Sequence, residues 1–190
     1  FVNTLLEYAE ASGDWQTAEE LWPVARRQTE RLRDYIDADG LFIDPGTWWI
    51  FIDWQDGLRK QTAMHGVAIC SFEAAATLAR RLGHDGEAEG LGNFAGRMKQ
   101  AALDRLLCPQ RGLFLSEPSG EEAQISWASQ TWMVQAGVVK GHAAATLMNT
   151  LLASEEAVKP AGPYLCHYVV DSLLRAGLET SAAALLSEYW

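Results

Sequence analysis

Basic residues are scarce in this chain: 15 Lys and Arg stand against 25 Asp and Glu, a formal net charge of −10 with a pI near 4.8. Nucleic-acid binding rests on cations that neutralise phosphates, so that partner class is disfavoured. No apolar run approaches the ~20 residues that a membrane-spanning helix needs. Cysteine is sparse too. Cys70, Cys108 and Cys166 are odd in number and far apart, and none forms a close Cys/His ligand pair. They read as small buried hydrophobes, with neither a disulfide framework nor a zinc site, a usage that fits a reducing compartment such as the cytoplasm. A His/Asp/Glu metal cluster and a Gly-rich phosphate loop are also missing, so no metal and no cofactor is expected. Ser126 and Ser129 lack the strand-turn-helix elbow of a nucleophilic serine. The chain starts at Phe1 rather than Met, so the want of a signal peptide says nothing about export.

What is present is helical periodicity. The 190 residues, 48% hydrophobic and 21% charged, suffice for one domain with a core. Leu5, Leu6, Tyr8 and Ala9 give a first apolar face that Gly13 stops. Asp14 is placed to cap a second helix running to about Ile36, in which Pro23 is tolerable only near the first turns. Further helices are predicted over Thr62 to Leu82, Glu87 to Leu107, Ile125 to Ala136, Ala143 to Leu152, Pro163 to Ala176 and Ser181 to Tyr189. Arg97, Lys99, Asp104 and Arg105 are expected on an exposed charged face, and 112–115 in an extended segment. Tight Gly-marked turns alternate with long loops over 38–61, 108–124 and 154–163. Together they predict an all-α fold of helical hairpins forming part of a toroid or solenoid, although no fixed-length repeat is visible.

The long loops carry the informative residues. Trp48-Trp49-Ile50-Phe51-Ile52-Asp53-Trp54 sets three indoles, a phenyl ring and a carboxylate on one segment without helical spacing. Indole faces pack on the apolar C–H faces of sugars, and carboxylates accept hydrogen bonds from hydroxyls. The same residues would also suit an aromatic core strand. In a ring, this loop, Ser126, Trp127 and Gln130, and Tyr164, His167 and Tyr168 would meet at the N-terminal ends of three inner helices. Free backbone N–H groups there suit hydroxylated ligands. The sugar-contacting candidates are therefore Trp48, Trp49, Asp53, Trp54, Trp127, Gln130, Tyr164 and His167. Asp56 reads as a turn residue, and Glu117, Glu121 and Glu122 as solvated. Glu73 faces either lumen or solvent, and His65, His84 and His142 read as structural or exposed.

These segments in combination resemble glycoside hydrolase family 78, the α-L-rhamnosidases with an (α/α)6 barrel. Gly13-Asp14-Trp15 with Leu21-Trp22-Pro23 resembles an early barrel helix, and 51–61, starting Phe51-Ile52-Asp53-Trp54, resembles the family's FIDW loop. Ser126-Trp127-Ala128-Ser129-Gln130 is similar to its SQ helix start. Gly162-Pro163-Tyr164 through His167-Tyr168, with Gly177 and Tyr189-Trp190, is similar to its late PY…HY helix and the hairpin after it. Asp171 departs from the pattern, where a longer acidic residue is expected. The FIDW loop is the specific element of the set.

The resemblance implies a single domain over 1–190 that is a central piece of a six-hairpin glycosidase, hydrolysing terminal α-L-rhamnosides with inversion. It implies a rhamnose-containing oligosaccharide or glycoside as partner, and an acid and a base glutamate outside this chain, one before Phe1 and one after Trp190. The expectations are then no catalytic residue within the chain, no turnover by the chain alone, and self-association through exposed inner-helix surface. Another glycosidase or a sugar epimerase on the same toroid, or a non-catalytic carbohydrate-binding scaffold, are the alternatives. An epimerase would need histidines on several inner helices, for which only His65 and His167 are candidates.

Overall fold

The computed structural model describes residues 1–46, 49–118 and 123–189. Trp48, Glu121, Glu122 and Trp190 thus lie outside the described residues. The predicted all-α hairpin architecture is what is found. Helix α1 (Val2–Ser12) pairs with α2 (Trp15–Arg33), α3 (Gln61–Arg81) with α4 (Asp85–Arg105), α5 (Trp127–Gln135) with α6 (Gly141–Leu152), and α7 (Pro163–Arg175) with α8 (Glu179–Tyr189). Helix α1 also packs on α3, α3 on α5, and α5 on α7, so the odd-numbered helices form an inner row and the even-numbered ones an outer row.

Local chemistry sets the joints. Gly13 takes the left-handed conformation (φ 74°) that closes α1, and its N–H reaches the Ala9 carbonyl. Asp14 then caps α2 by accepting from the Thr17 N–H at 3.0 Å and the Thr17 hydroxyl at 2.7 Å. Pro23 departs from expectation: it lies well inside α2, not in its first turns. Its place on the exposed outer face explains the tolerance, because the carbonyl it orphans is open to water. The helix expected to reach Leu107 ends at Arg105. Strand β1 (Leu107–Cys108) then pairs antiparallel with β2 (Leu113–Phe114), Leu107 opposite Phe114 and Cys108 opposite Leu113.

Helix α5 is the central stave. Every residue from Trp127 to Val134 is buried, so no polar face exists along that stretch. It lies unusually close to α3. A Cβ built on Gly66 would stand 2.6 Å from the Trp132 carbonyl oxygen and 2.8 Å from its Cβ, so only glycine allows the two backbones to meet there. One residue earlier, His65 is 1% exposed. Its Nδ1 accepts the Phe42 N–H at 3.2 Å and its Nε2 donates to the Met98 carbonyl at 2.9 Å, tying the 37–46 loop and α4 to α3. Burial holds the His65 pKa below its ordinary value of 6.5, with the Met98 hydrogen bond opposing.

Two outcomes follow for stability. Alanine is favoured over glycine inside a helix by about 1 kcal/mol, whereas overpacking costs about 1–3 kcal/mol. With backbone as the obstacle, Gly66→Ala should lose up to about 2 kcal/mol net by denaturant unfolding, and a raised midpoint would refute the close contact. For His65, the unfolded chain takes up a proton near pH 6.5 and the folded one does not, so stability falls as pH drops below that value and is fully present above it. His65→Gln should be less stable than wild type at pH 7.5 yet lose less between pH 7.5 and 5.5. Parallel losses in the two proteins would remove His65 as the cause.

Candidate functional site

Hydrogen bonds between distant segments bring the starts of α3, α5 and α7 to one rim. The Thr62 N–H and hydroxyl donate to the Ser116 and Leu115 carbonyls at 3.0 and 2.6 Å. Gln124 accepts from the Arg59 N–H at 2.8 Å and donates to the Gly57 carbonyl at 3.0 Å. The Trp127 N–H donates to Val158, and the Val158 N–H to Ile125, both at 2.9 Å. Asp53, 4% exposed, accepts the Ala161 N–H on Oδ2 at 2.7 Å, while its Oδ1 has no hydrogen-bond partner among the described residues. The rim joins the loop around residues 50–60, the pair Leu115 and Ser116, residues 124–126 and the residues just before α7.

Below this rim, a cavity of about 520 Å³ runs along the inner faces of α1, α3, α5 and α7. Helix α3 contributes Met64, Val67, Cys70, Ala74 and Thr77, a stripe at three- and four-residue spacing, together with Glu73. Helix α5 adds Trp132 and Gln135, α7 adds Tyr164, Tyr168 and Arg175, and the loop adds Phe51 and Ile52. Glu7 and Asn3 face it from α1. Apolar and aromatic walls interleaved with polar side chains, here Asn3, Glu7, Glu73, Gln135 and Arg175, suit a hydroxylated small molecule.

The end away from the rim is charged. Glu73 pairs with Lys99, whose side chain is tucked in rather than exposed as expected. Gln135 donates to Asp171 Oδ2 at 2.8 Å and to the Ser172 hydroxyl at 2.9 Å, and Arg175 Nε reaches the same Asp171 oxygen at 2.6 Å. Burial pushes the Asp171 pKa up, but the hydrogen bonds from Arg175 and Gln135 outweigh it and leave the carboxyl below its usual range. Between rim and base, burial with the nearby Glu73 charge pushes the Cys70 thiol up to about 12, so it stays neutral. Tyr168 is also pushed up to about 12, by burial and then by its hydrogen bond with Tyr164.

The sequence candidates divide three ways. Trp49, Trp54, Tyr164 and His167 are exposed, the first three on the aromatic cluster centred on Phe51 and His167 edge-on to Tyr168 at 5.0 Å. Asp53 is buried and does not line the cavity; its carboxylate lies against Ala161 and Gly162. Trp127 and Gln130 are core residues and do not line the cavity. The Gln130 amide is spent on backbone: Oε1 accepts the Phe114 N–H at 2.7 Å, and Nε2 donates to the carbonyls of Phe114 and Ser126 at 2.8 and 3.1 Å. Its geometry braces β2 against α5 and leaves nothing for a ligand. Trp132, Gln135, Phe51 and Glu73 line the cavity without having been singled out as contacts. On α7 the spacing of four between Tyr164 and Tyr168 could have marked the cavity face; on α5, buried from Trp127 to Val134, no face could be read.

A scan against family profiles finds no match, and neither does a search of curated proteins. Solved structures do match. The whole chain is similar to a rhamnosidase from Klebsiella oxytoca with rhamnose bound, at 40% identity and a TM-score of 0.92, covering 36% of that chain. It is also similar in fold to a family 78 rhamnosidase of Bacillus sp. GL1, at 19% identity and a TM-score of 0.84, over 96% of this chain and 20% of that one. The chain therefore spans about a third of the first relative and a fifth of the second. Along its whole length the chain therefore matches a segment of the helical domain of these rhamnosidases, the second of which is a family 78 enzyme.

Proposed function

We propose that the chain forms an inner wall of the substrate cavity in an (α/α)6 glycoside hydrolase that removes terminal α-L-rhamnosyl groups with inversion. One observation carries the reading: a 520 Å³ cavity with aromatic walls lies in a chain 40% identical, over all its length, to a rhamnosidase holding rhamnose. In this reading the rings of Phe51, Trp132, Tyr164 and Tyr168 offer faces and edges to the apolar side of the sugar. Asp53, buried and outside the cavity lining, fixes the rim loop over the start of α7 by holding the Ala161 N–H.

Inverting hydrolysis needs a proton donor and a base roughly 6.5–9.5 Å apart, with water between base and sugar. Glu73 is held by Lys99 in an ion pair, which suits bracing the cavity base rather than proton transfer. The proposal therefore assigns the acid and base to glutamates outside residues 1–190, and the chain alone should turn over no rhamnoside. The epimerase alternative is weakened by His65, whose two ring nitrogens are both committed to backbone groups.

In the intact protein, Asp53→Asn should lower kcat/KM on an aryl α-L-rhamnoside by about 10- to 100-fold, the worth of a hydrogen bond to a charged group at about 1.5–3 kcal/mol. Wild-type kinetics in that variant would show that the Asp53 clamp on Ala161 does not shape the cavity. If wild-type protein fails to release rhamnose from any α-L-rhamnoside, the activity itself is wrong.

A further inference from the structure

We propose that Gln135 is a positioning residue for the deep wall of the cavity: its amide grips one face of α7 and so sets the Tyr168 ring against Trp132. The inference rests on the function proposed above and concerns how the sugar-facing rings are held, away from the bond that is cleaved.

Gln135 is the last residue of α5, and its Nε2 meets three acceptors on α7: Asp171 Oδ2 at 2.8 Å, the Ser172 hydroxyl at 2.9 Å and the Tyr168 carbonyl at 3.3 Å. Positions 168, 171 and 172 lie within one turn on a single helix face. An amide nitrogen carries two N–H groups, so the three acceptors share them. The Tyr168 carbonyl sits inside the helix, and a carbonyl has a second lone pair beyond the one a helix uses. The buried Ser172 hydroxyl donates in turn to the Thr131 carbonyl at 3.3 Å, which returns the network to α5. Arg175 Nε holds Asp171 Oδ2 from the next turn and fixes the carboxylate where the amide meets it. The shortness of aspartate matters here. It keeps that oxygen close to the α7 backbone, where one amide reaches it and the Tyr168 carbonyl together.

The ring pair is bracketed by these bonds. Trp132 follows Thr131 and precedes Gln135 by three residues, while Tyr168 precedes Ser172 by one turn. The two rings stand 4.7 Å apart, tilted by 40°, and both line the cavity beside Gln135. Helix α5 cannot yield on its other side, because its backbone at Trp132 lies against Gly66 of α3. The rotation of α7 is therefore what must be set. Val169 and Leu173 pack α7 into the core, but apolar contact is non-directional and holds a helix at many angles. Hydrogen bonds weaken steeply away from their preferred angle, so three acceptors around one nitrogen admit only a narrow range. A wall ordered in this way before binding loses little entropy when a ligand arrives.

The experiment compares wild type, Gln135→Leu, Gln135→Asn, Asp171→Asn and Asp14→Ala in the intact protein, by thermal unfolding and by kinetics on an aryl α-L-rhamnoside. Leucine removes the amide, and asparagine keeps it one methylene too short to reach α7. Both should raise KM by about 3- to 10-fold with kcat within about twofold, the factor that one hydrogen bond commands. Should leucine prevent folding, the asparagine variant decides alone. Asp171→Asn keeps an acceptor for the amide and should raise KM by less than either. Asp14→Ala loosens the α2 cap, away from the cavity, and should lower the unfolding temperature while KM stays at the wild-type value. An equal rise in KM in Asp14→Ala would reduce the effect to general loosening and overturn the assignment. Wild-type KM in both Gln135 variants, or a loss confined to kcat, would overturn it too. Wild-type protein inert towards every α-L-rhamnoside overturns instead the functional reading on which the proposal rests.

Discussion

Everything at the rim depends on hydrogen bonds that lace three chain segments together across large gaps in sequence. Asp53 and Ala161 are 108 positions apart, Arg59 and Gln124 are 65, and Thr62 and Leu115 are 53. Each bond contributes only about 0.5–1.5 kcal/mol net, yet several are buried, and a buried polar group left unpaired costs more than a made bond returns. The lacing is therefore specific as well as stabilising. A slip by one residue in any segment would orphan groups such as the clustered hydroxyls of Ser116, Ser126 and Ser129, which lie 2.9–3.1 Å from one another with no exposure.

The lacing also aligns α3, α5 and α7, with their starts at the rim and their ends at the charged base. Parallel dipoles place partial positive charge at the rim and partial negative charge at the base. Lys99, Arg175 and the Arg80–Arg81 pair gather near the ends of these helices, where cations are favoured. Glu73 and Asp171 then need their basic partners, because the helix ends alone would repel them. The same field leaves the rim hospitable to lone pairs, which hydroxylated ligands supply in number.

Much of this was legible from residue order, because hairpins announce themselves through glycines, caps and three-to-four spacing. The convergence of 49–54, 126–130 and 164–168 followed from alternating loop lengths alone. The division of labour within those segments did not. Gln130 and Gln135 sit on one short helix, and only the structure separates the one that clamps Phe114 from the one that faces the cavity. Helix α5 is the stave with neighbours on both sides, so burial erases the periodicity that reveals a face elsewhere. Pro23 and Lys99 misled for a related reason: what matters is which side of an outer helix meets water, and sequence gives that only after the partner helix is known. Residues 49–54 form no strand, yet their isoleucines pack into the core while the rings form an outward wall.

Asp53 shows why such a wall must be built on a helix start. A carboxylate 4% exposed, with one oxygen unpaired, is costly in an apolar setting. The start of α7 offsets that cost. Gly162 is its N-cap and offers no side chain, and Pro163 follows at the first position without an N–H. Asp53 lies against this terminus, with Oδ1 3.2 Å from where a Cβ of Gly162 would be. It supplies from another loop the negative charge that a capping residue would bring. Glycine at 162 is what admits both the carboxylate and the indole of Trp54. The charge that stabilises α7 is therefore also the anchor that holds the aromatic rim in place, and neither role can be altered without disturbing the other.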